Sequence, residues 1–464
     1  MKTKFSILLL IICIGESYAQ DKTKSANSFS LQDAINYSVA HNPNHLNTII
    51  DAEIAKARKN EITGIGLPQL NGSFDMRYNP KVPTQVLPNF IGSAILQTLQ
   101  AAGLYPPGPL PPPNPEFIAA QFGVKYNANL GITASQLIFS SDYIVGLQAA
   151  KAIMELSQKN IDRSKIDIIA QVSKAYFGVI INKERIKLID ANIARVKKLR
   201  DDTKVLFDNG FVEKIDLDRI DLAFNNILVE KEKITRLFSL AESLLKFQMG
   251  LDLNQGIVLT DSLSVSGALL TDINDKINVS NRIEYSLIKQ QELLNQFDLK
   301  RNKLSYLPTL AGYGTMQTQA MRNEFDVFNS KTPWYAFGSI GLTLNLNLFD
   351  GLQKNYRIQQ SKLNLEKTQN SLKNIENALT LETQSAQVNY QNAISSINFQ
   401  KKNIELAENV YKVSKIKYDQ GVGSNLEVLN AETSLKEAQT NYYNALYDYV
   451  VSKVDYDKAI GNLK

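Results

Sequence analysis

The sequence predicts a mainly α-helical chain with a membrane β-barrel part, built as two structural repeats. Three observations carry this reading. Segments recur in one order at near-constant spacing: Leu67-Pro68-Gln69-Leu70 returns as Leu307-Pro308-Thr309-Leu310, and Leu130-Gly131-Ile132-Thr133 returns as Ile340-Gly341-Leu342-Thr343. Phe207-Asp208-Asn209-Gly210 returns as Tyr418-Asp419-Gln420-Gly421, and Gly250 as Gly461. Ten of the 14 prolines fall between Pro80 and Pro115, and none lies in 116–307 or after Pro333. Long proline-free stretches beside one proline-dense patch imply very long helices and one elaborate loop. Finally, four segments alternate apolar and polar residues with the period of a strand.

At the N-terminus, Lys2 and Lys4 precede the apolar run Phe5 to Ile14, and Ser17-Tyr18-Ala19 places small residues before Gln20. This is the pattern of a secretory signal peptide, residues 1–19, too short in its apolar part to span a bilayer. Cleavage there removes Cys13, so the mature chain has no cysteine. Only His41 and His45 supply imidazole, which argues against zinc sites and serine–histidine triads. Their spacing of four could suggest a metal pair, but Pro43 between them favours a capping segment. No Gly-rich phosphate loop is present, so no cofactor is expected and an enzyme is a poor reading. Charge is nearly balanced, 51 Lys+Arg against 46 Asp+Glu, which argues against nucleic acid as a partner.

Each repeat reads as helix, strand, loop, strand, long helix, turn, helix. The first repeat spans 20–250 and the second 282–464, with a connection at 251–281 placed near the equator of the helical part. Strand alternation is cleanest at Leu70 to Tyr78, Val124 to Ala134 and Ile340 to Leu348; the strand after Pro308 is less regular. Such segments suit a tilted membrane strand, although a soluble sheet with one covered face would alternate equally. Trp334, Tyr335 and Phe337 read as an interfacial aromatic girdle. The first repeat carries about 30 extra residues, including the long loop at about 79–121, in which Phe90 to Leu104 reads as a short apolar helix.

The long helices run from about Tyr143 to Phe207 and from about Tyr356 to Tyr418. A 60-residue helix would be roughly 90 Å long. Ile169, Val172, Tyr176, Val179, Ile186, Ile193 and Val196 step by coiled-coil intervals, as do Leu372, Ile375, Leu379, Ala386, Asn389 and Ala393. The turns fall at Gly210 and Gly421, where glycine suits a helix end.

These residues resemble the TolC-like outer-membrane efflux and secretion channels. The resemblance rests on Ala40-His41-Asn42-Pro43, both Leu-Pro strand starts, Leu348-Phe349-Asp350-Gly351, Tyr418 to Gly423, Leu426 to Glu432 and Ile460-Gly461. It implies a homotrimer whose chains each give four strands to a 12-stranded barrel in outer-membrane lipid and long helices to a periplasmic tunnel. It also implies a periplasmic adaptor and an inner-membrane pump as partners. At the periplasmic gate, the family's paired carboxylates correspond to Glu427 and Asn430, its closing tyrosine to Tyr418, and that tyrosine's partner to Asp216. An arginine found in some members is replaced by Gly423. Adaptor docking is expected at Asn209, Gly210, Phe211 and Val212 and at Gln420, Gly421, Val422, Gly423 and Ser424. A poreless periplasmic coiled-coil adaptor and a self-contained porin are the competing readings; the first lacks paired strands and the second needs more of them.

Overall fold

The computed structural model describes residues 28–262 and 279–463. The signal-peptide reading and part of the connection at 251–281 therefore lie outside the described residues. In chain order the elements are β1 (Ser28–Phe29), α1 (Leu31–His41), α2 (Pro43–Ile65), β2 (Gln69–Tyr78), β3 (Thr84–Pro88), α3 (Phe90–Ala101), β4 (Phe117–Gln121), β5 (Tyr126–Phe139) and α4 (Ser141–Asp208). They continue with α5 (Lys214–Met249), β6 (Val258–Leu259), α6 (Ile283–Leu304), β7 (Thr309–Arg322), β8 (Tyr335–Asn345), α7 (Gln353–Asp419) and α8 (Asn425–Ile460). No helix among the described residues is long and apolar enough to cross a membrane. Two compact units emerge, each drawn from both halves of the chain.

One unit contains Asn160–Tyr285 and Ile375–Lys464 with the N-terminal segment. Its helices pair through heptads. On α8, Val428, Glu432, Leu435, Gln439, Leu446 and Tyr449 are buried at alternating steps of three and four, one seam position being half-buried. On α7 the seam is Leu379, Thr383, Ala386, Tyr390, Ala393 and Ile397. Asn389, expected in that seam, is exposed, and Tyr390 takes the place. Tyr390 stacks on Tyr456 at 5.4 Å, so an aromatic pair fills a gap that a carboxamide would leave unsatisfied. On α5, Ile220, Ile227 and Ile234 recur every seven residues and meet Ile189, Val196 and Leu199 of α4. Residues 28 and 29 add a short parallel pairing to β6, so the connection is tied to the N-terminal segment.

The other unit contains Ile50–Lys159 and Ser286–Asn374. Its centre is a four-stranded antiparallel sheet in the order β2-β5-β7-β8, with no strand paired to the outer edges of β2 and β8 among the described residues. Strand register assigns side chains to faces, because directly opposed residues share a face. Asn71, Thr133, Thr315 and Ser339 share one row, Asp75, Asn129, Gln319 and Tyr335 another. Thr315 and Ser339 hydrogen-bond at 3.0 Å and Gln319 donates to Asn127 at 2.8 Å across this polar face. The opposite face carries Leu70, Leu130, Ile132, Met316, Ile340 and Leu342, all exposed, with Ile340 at 94%.

This register corrects the aromatic girdle read from the sequence. Tyr335 and Phe337 oppose Gln319 and Gln317, on the polar face. Trp334 instead packs beside Met76, Tyr126, Ala128, Ala320 and Val327 on the apolar side. The loop at 79–121 is not structureless: β3 and β4 pair antiparallel, and α3, with no charged residue, starts at Asn89, whose side chain accepts from the Gly92 N–H at 2.7 Å.

Candidate functional site

The expected site residues gather at the turns of the two helical hairpins. Between α4 and α5, the Gly210 N–H donates to the Phe207 carbonyl at 2.9 Å and the Phe211 N–H to Leu206 at 2.8 Å. Between α7 and α8, the Gly421 N–H donates to Tyr418 at 2.9 Å, and the Val422 and Gly423 N–H groups both reach Lys417 at 3.0 Å. Gly210 and Gly421 adopt φ of +77° and +74°, the left-handed region that closes a helix end and that side chains disfavour. Ser424 then caps α8, its hydroxyl accepting from the Glu427 N–H at 3.2 Å. Glu213, the corresponding cap of α5, makes no such side-chain bond.

Phe211 and Val422 stand 77% and 75% exposed at the turn tips. Asn209 donates its amide back to the Val205 carbonyl at 2.7 Å, holding the end of its own helix. Gly423 has no room for a side chain: an added Cβ would stand 2.9 Å from Lys417 Cβ and 3.0 Å from the Tyr418 nitrogen. Any side chain at this position is thus opposed by the packing of the turn itself.

Glu427 and Asn430 are exposed and three residues apart on α8, so they share a helix face. Tyr418 is half-buried in the apolar cluster of Ile220, Val428 and their neighbours, its hydroxyl 3.4 Å from Thr203 Oγ1. Asp216 pairs with Arg219 of its own helix at 3.5 Å. Within one chain, then, the tyrosine's hydroxyl meets a threonine and the aspartate a neighbouring arginine. His41 donates from Nδ1 to the Tyr37 carbonyl at 2.9 Å and stacks on the Tyr37 ring, while His45 Nδ1 faces the Ser164 hydroxyl at 3.1 Å. The two imidazoles have separate partners.

Sequence reasoning missed the strongest polar contact here. Arg195 Nε of α4 lies 3.1 and 3.0 Å from the two carboxylate oxygens of Glu432 on α8. The Glu432 side chain is only 5% exposed. Asn192 accepts from the other end of the guanidinium, and the Tyr411 ring sits 5.6 Å beneath it. Burial pushes the Glu432 carboxyl above the usual carboxylate range, with Arg195 pulling in the opposite direction. Lys436 of α8 reaches Glu230 of α5 at 2.9 Å one turn further along. Two ionic links therefore join the second hairpin to the first. The visible signal was a charge on a heptad seam: Glu432 follows Val428 by four and precedes Leu435 by three.

Long heptad-paired hairpins and a four-stranded antiparallel sheet with one exposed apolar face are the fold this chain shares with solved outer-membrane channels. The chain is similar to CusC, whose crystal structures describe transmembrane channel formation, with a TM-score of 0.73 at 13% identity, covering 93% of this chain and 92% of that one. It is also similar to the outer membrane protein VceC of Vibrio cholerae, with a TM-score of 0.70 at 14% identity over 93% and 96%. Residues 287–462 match the outer membrane efflux protein family, and the TolC-like resemblance read from the sequence is borne out. Nodulation protein T of Rhizobium leguminosarum bv. trifolii is 21% identical over 328 residues, 68% of each chain. Outer membrane protein TolC of Vibrio cholerae is 21% identical over 338 residues, 72% of this chain and 76% of that one.

Proposed function

We propose that three copies of this chain form an export channel of the outer membrane, opened from the periplasm by an adaptor coupled to an inner-membrane pump. The observation that supports this most directly is the sheet, with one apolar exposed face, one polar face and two edges unpaired among the described residues. Four strands leave open edges that lipid cannot satisfy, whereas 12 strands close and leave an aqueous lumen. Relatives that are outer-membrane channels favour conduction over catalysis. The poreless adaptor reading has no use for such a sheet.

In this reading Glu427, repeated three times, forms a carboxylate ring at the periplasmic entrance, and Asn430 leaves the neighbouring ring neutral. Such a ring attracts cations and repels anions. Tyr418 and Asp216 belong to the closing contacts, and the turns at 209–212 and 420–424 are the adaptor surface. In planar bilayers under a salt gradient, Glu427→Gln should reduce the cation preference and Asn430→Asp should increase it. Reversal potentials unmoved by either change would remove Glu427 from the constriction.

The residues 79–121 then lie outside the cell, since bacterial barrels put long loops outward. A tag inserted at Gly108, which is exposed and has no neighbour within 4 Å of an added Cβ, should be cut by protease on intact cells. Cleavage only after the outer membrane is opened would reverse this topology.

A further inference from the structure

We propose that the segment joining β7 to β8, residues 323–334, is a flap seated in the membrane at the boundary between acyl chains and headgroups. The inference rests on the outer-membrane reading above. Loops of this kind are ordinarily expected in water, but this one folds back over the apolar face of the sheet. Val327 is buried against Ala128 and Ala320, with Met76, Tyr126 and Trp334 packed around them. Phe325 meets Tyr126 edge-on at 5.5 Å and Phe328 at 6.2 Å, and Phe328 reaches Phe74 of β2 at 6.4 Å. The flap therefore extends across two neighbouring strands.

Its conformation is fixed by its own polar groups. Arg322 at its base is paired to Asp326, with Nε 2.8 Å from one carboxylate oxygen. Thr332 donates to the Asp326 carbonyl at 2.7 Å, and the Asn329 N–H donates to the same carbonyl at 2.9 Å. Asp326 and Thr332 are thus paired within the flap, while Glu324, Ser330 and Lys331 are exposed beside Phe325 and Phe328, which stand 63% and 70% exposed. Burying one apolar side and presenting two phenylalanines on the other is unfavourable in water.

Position identifies the occupant. The flap lies at the row Tyr78, Tyr126 and Arg322, where the apolar face ends. From the next row down to Leu70, Ala134, Gly314 and Ile340, that face has no charged side chain. Aromatic rings beside charged groups at the end of an uncharged apolar band have the composition of the membrane–water interface. Val327 sits over the inner strands β5 and β7, and Phe328 reaches β2, along whose outer edge a second copy would pair.

The chain has one tryptophan, which makes the test direct. In a Trp334→Phe background, Phe328→Trp and Ile340→Trp each supply a single reporter, the second in the middle of the apolar band. The purified assembly is placed in phosphatidylcholine vesicles brominated either near the headgroup or near the chain end. Phe328→Trp should be quenched roughly twofold more by shallow than by deep bromines, and barely by aqueous acrylamide. Ile340→Trp should prefer the deep bromines. Acrylamide quenching of Phe328→Trp, with Ile340→Trp still quenched by lipid, would overturn the flap and leave the membrane reading intact. Shielding of Phe328→Trp from both lipid and acrylamide would mean that protein covers it, again overturning the proposal. Failure of lipid to quench Ile340→Trp would reject the membrane reading and the flap with it.

Discussion

Replacing Arg195 with methionine should lower the stability of the helical unit by about 3 kcal/mol. Breaking a buried ion pair leaves the other charge without compensation, which costs about 3–5 kcal/mol; the lower end applies because Arg195 keeps partial access to water. The partner substitution should not mirror it. Glu432→Gln removes the buried charge itself and leaves a guanidinium that keeps partial access to water and is still held by Asn192 and Tyr411. Its cost should stay within about 1 kcal/mol, that of a weakened hydrogen bond. The asymmetry follows from the raised Glu432 pKa, which says that burial outweighs the attraction of Arg195.

The pH dependence has a definite sign. A carboxyl whose folded pKa exceeds its unfolded value binds more protons when folded, so stability rises as pH falls through that window. In the wild type the window runs from the raised Glu432 value down to about 4.3, the value of a free glutamate. In Arg195→Met the carboxyl loses its counter-charge and titrates higher still, so part of the lost stability should return in mild acid. Unfolding midpoints followed by the helical circular-dichroism signal at several pH values would check both statements. An Arg195→Met midpoint equal to wild type at neutral pH would mean that water reaches Glu432 and that the link carries little.

The second large effect is expected at the hairpin tips. Phe211→Asp and Val422→Asp place a charge where the proposed docking surface exposes an apolar side chain. Loss of an interface anchor typically costs about 2 kcal/mol or more, roughly thirtyfold in affinity. Adaptor crosslinking and efflux should both collapse, while assembly and membrane insertion stay normal because exposed substitutions change stability by only about 0.5 kcal/mol. Gly423 is a poor site for this test, since any side chain there collides with Lys417 and the backbone of Tyr418. Unaltered crosslinking in both aspartate variants would remove the tips from the docking surface.

The long helices were legible because the signals that end them are strong and local. Absence of proline carried α4 and α7 through more than sixty residues, and glycine marked both turns within a residue or two. The short helix in the long loop was legible for the same reason, as an apolar run between proline clusters. The girdle was misread because Trp334 and Tyr335 are adjacent in sequence and so point to opposite faces once they enter a strand. Only the pairing of Gln319 with Tyr335 decides which face is which. The Asn389 seam position failed by one residue, an error to which a period of 3.5 is prone. The partner of Glu432 lies 237 residues away, and no local pattern indicates which basic residue on α4 will meet it.

The edges of β2 and β8, unpaired among the described residues, have a bearing on the order of events during biogenesis. A lone chain entering lipid would carry two rows of backbone groups with no hydrogen-bond partner, each costing several kcal/mol there. The same rows in water are templates for indiscriminate strand addition. In the proposed assembly, insertion by single chains is therefore ruled out energetically, and the three sheets must meet before or as they enter the bilayer. The rate of maturation then depends steeply on how many chains are present, and a holding chaperone that shields the edges protects yield more than it speeds folding.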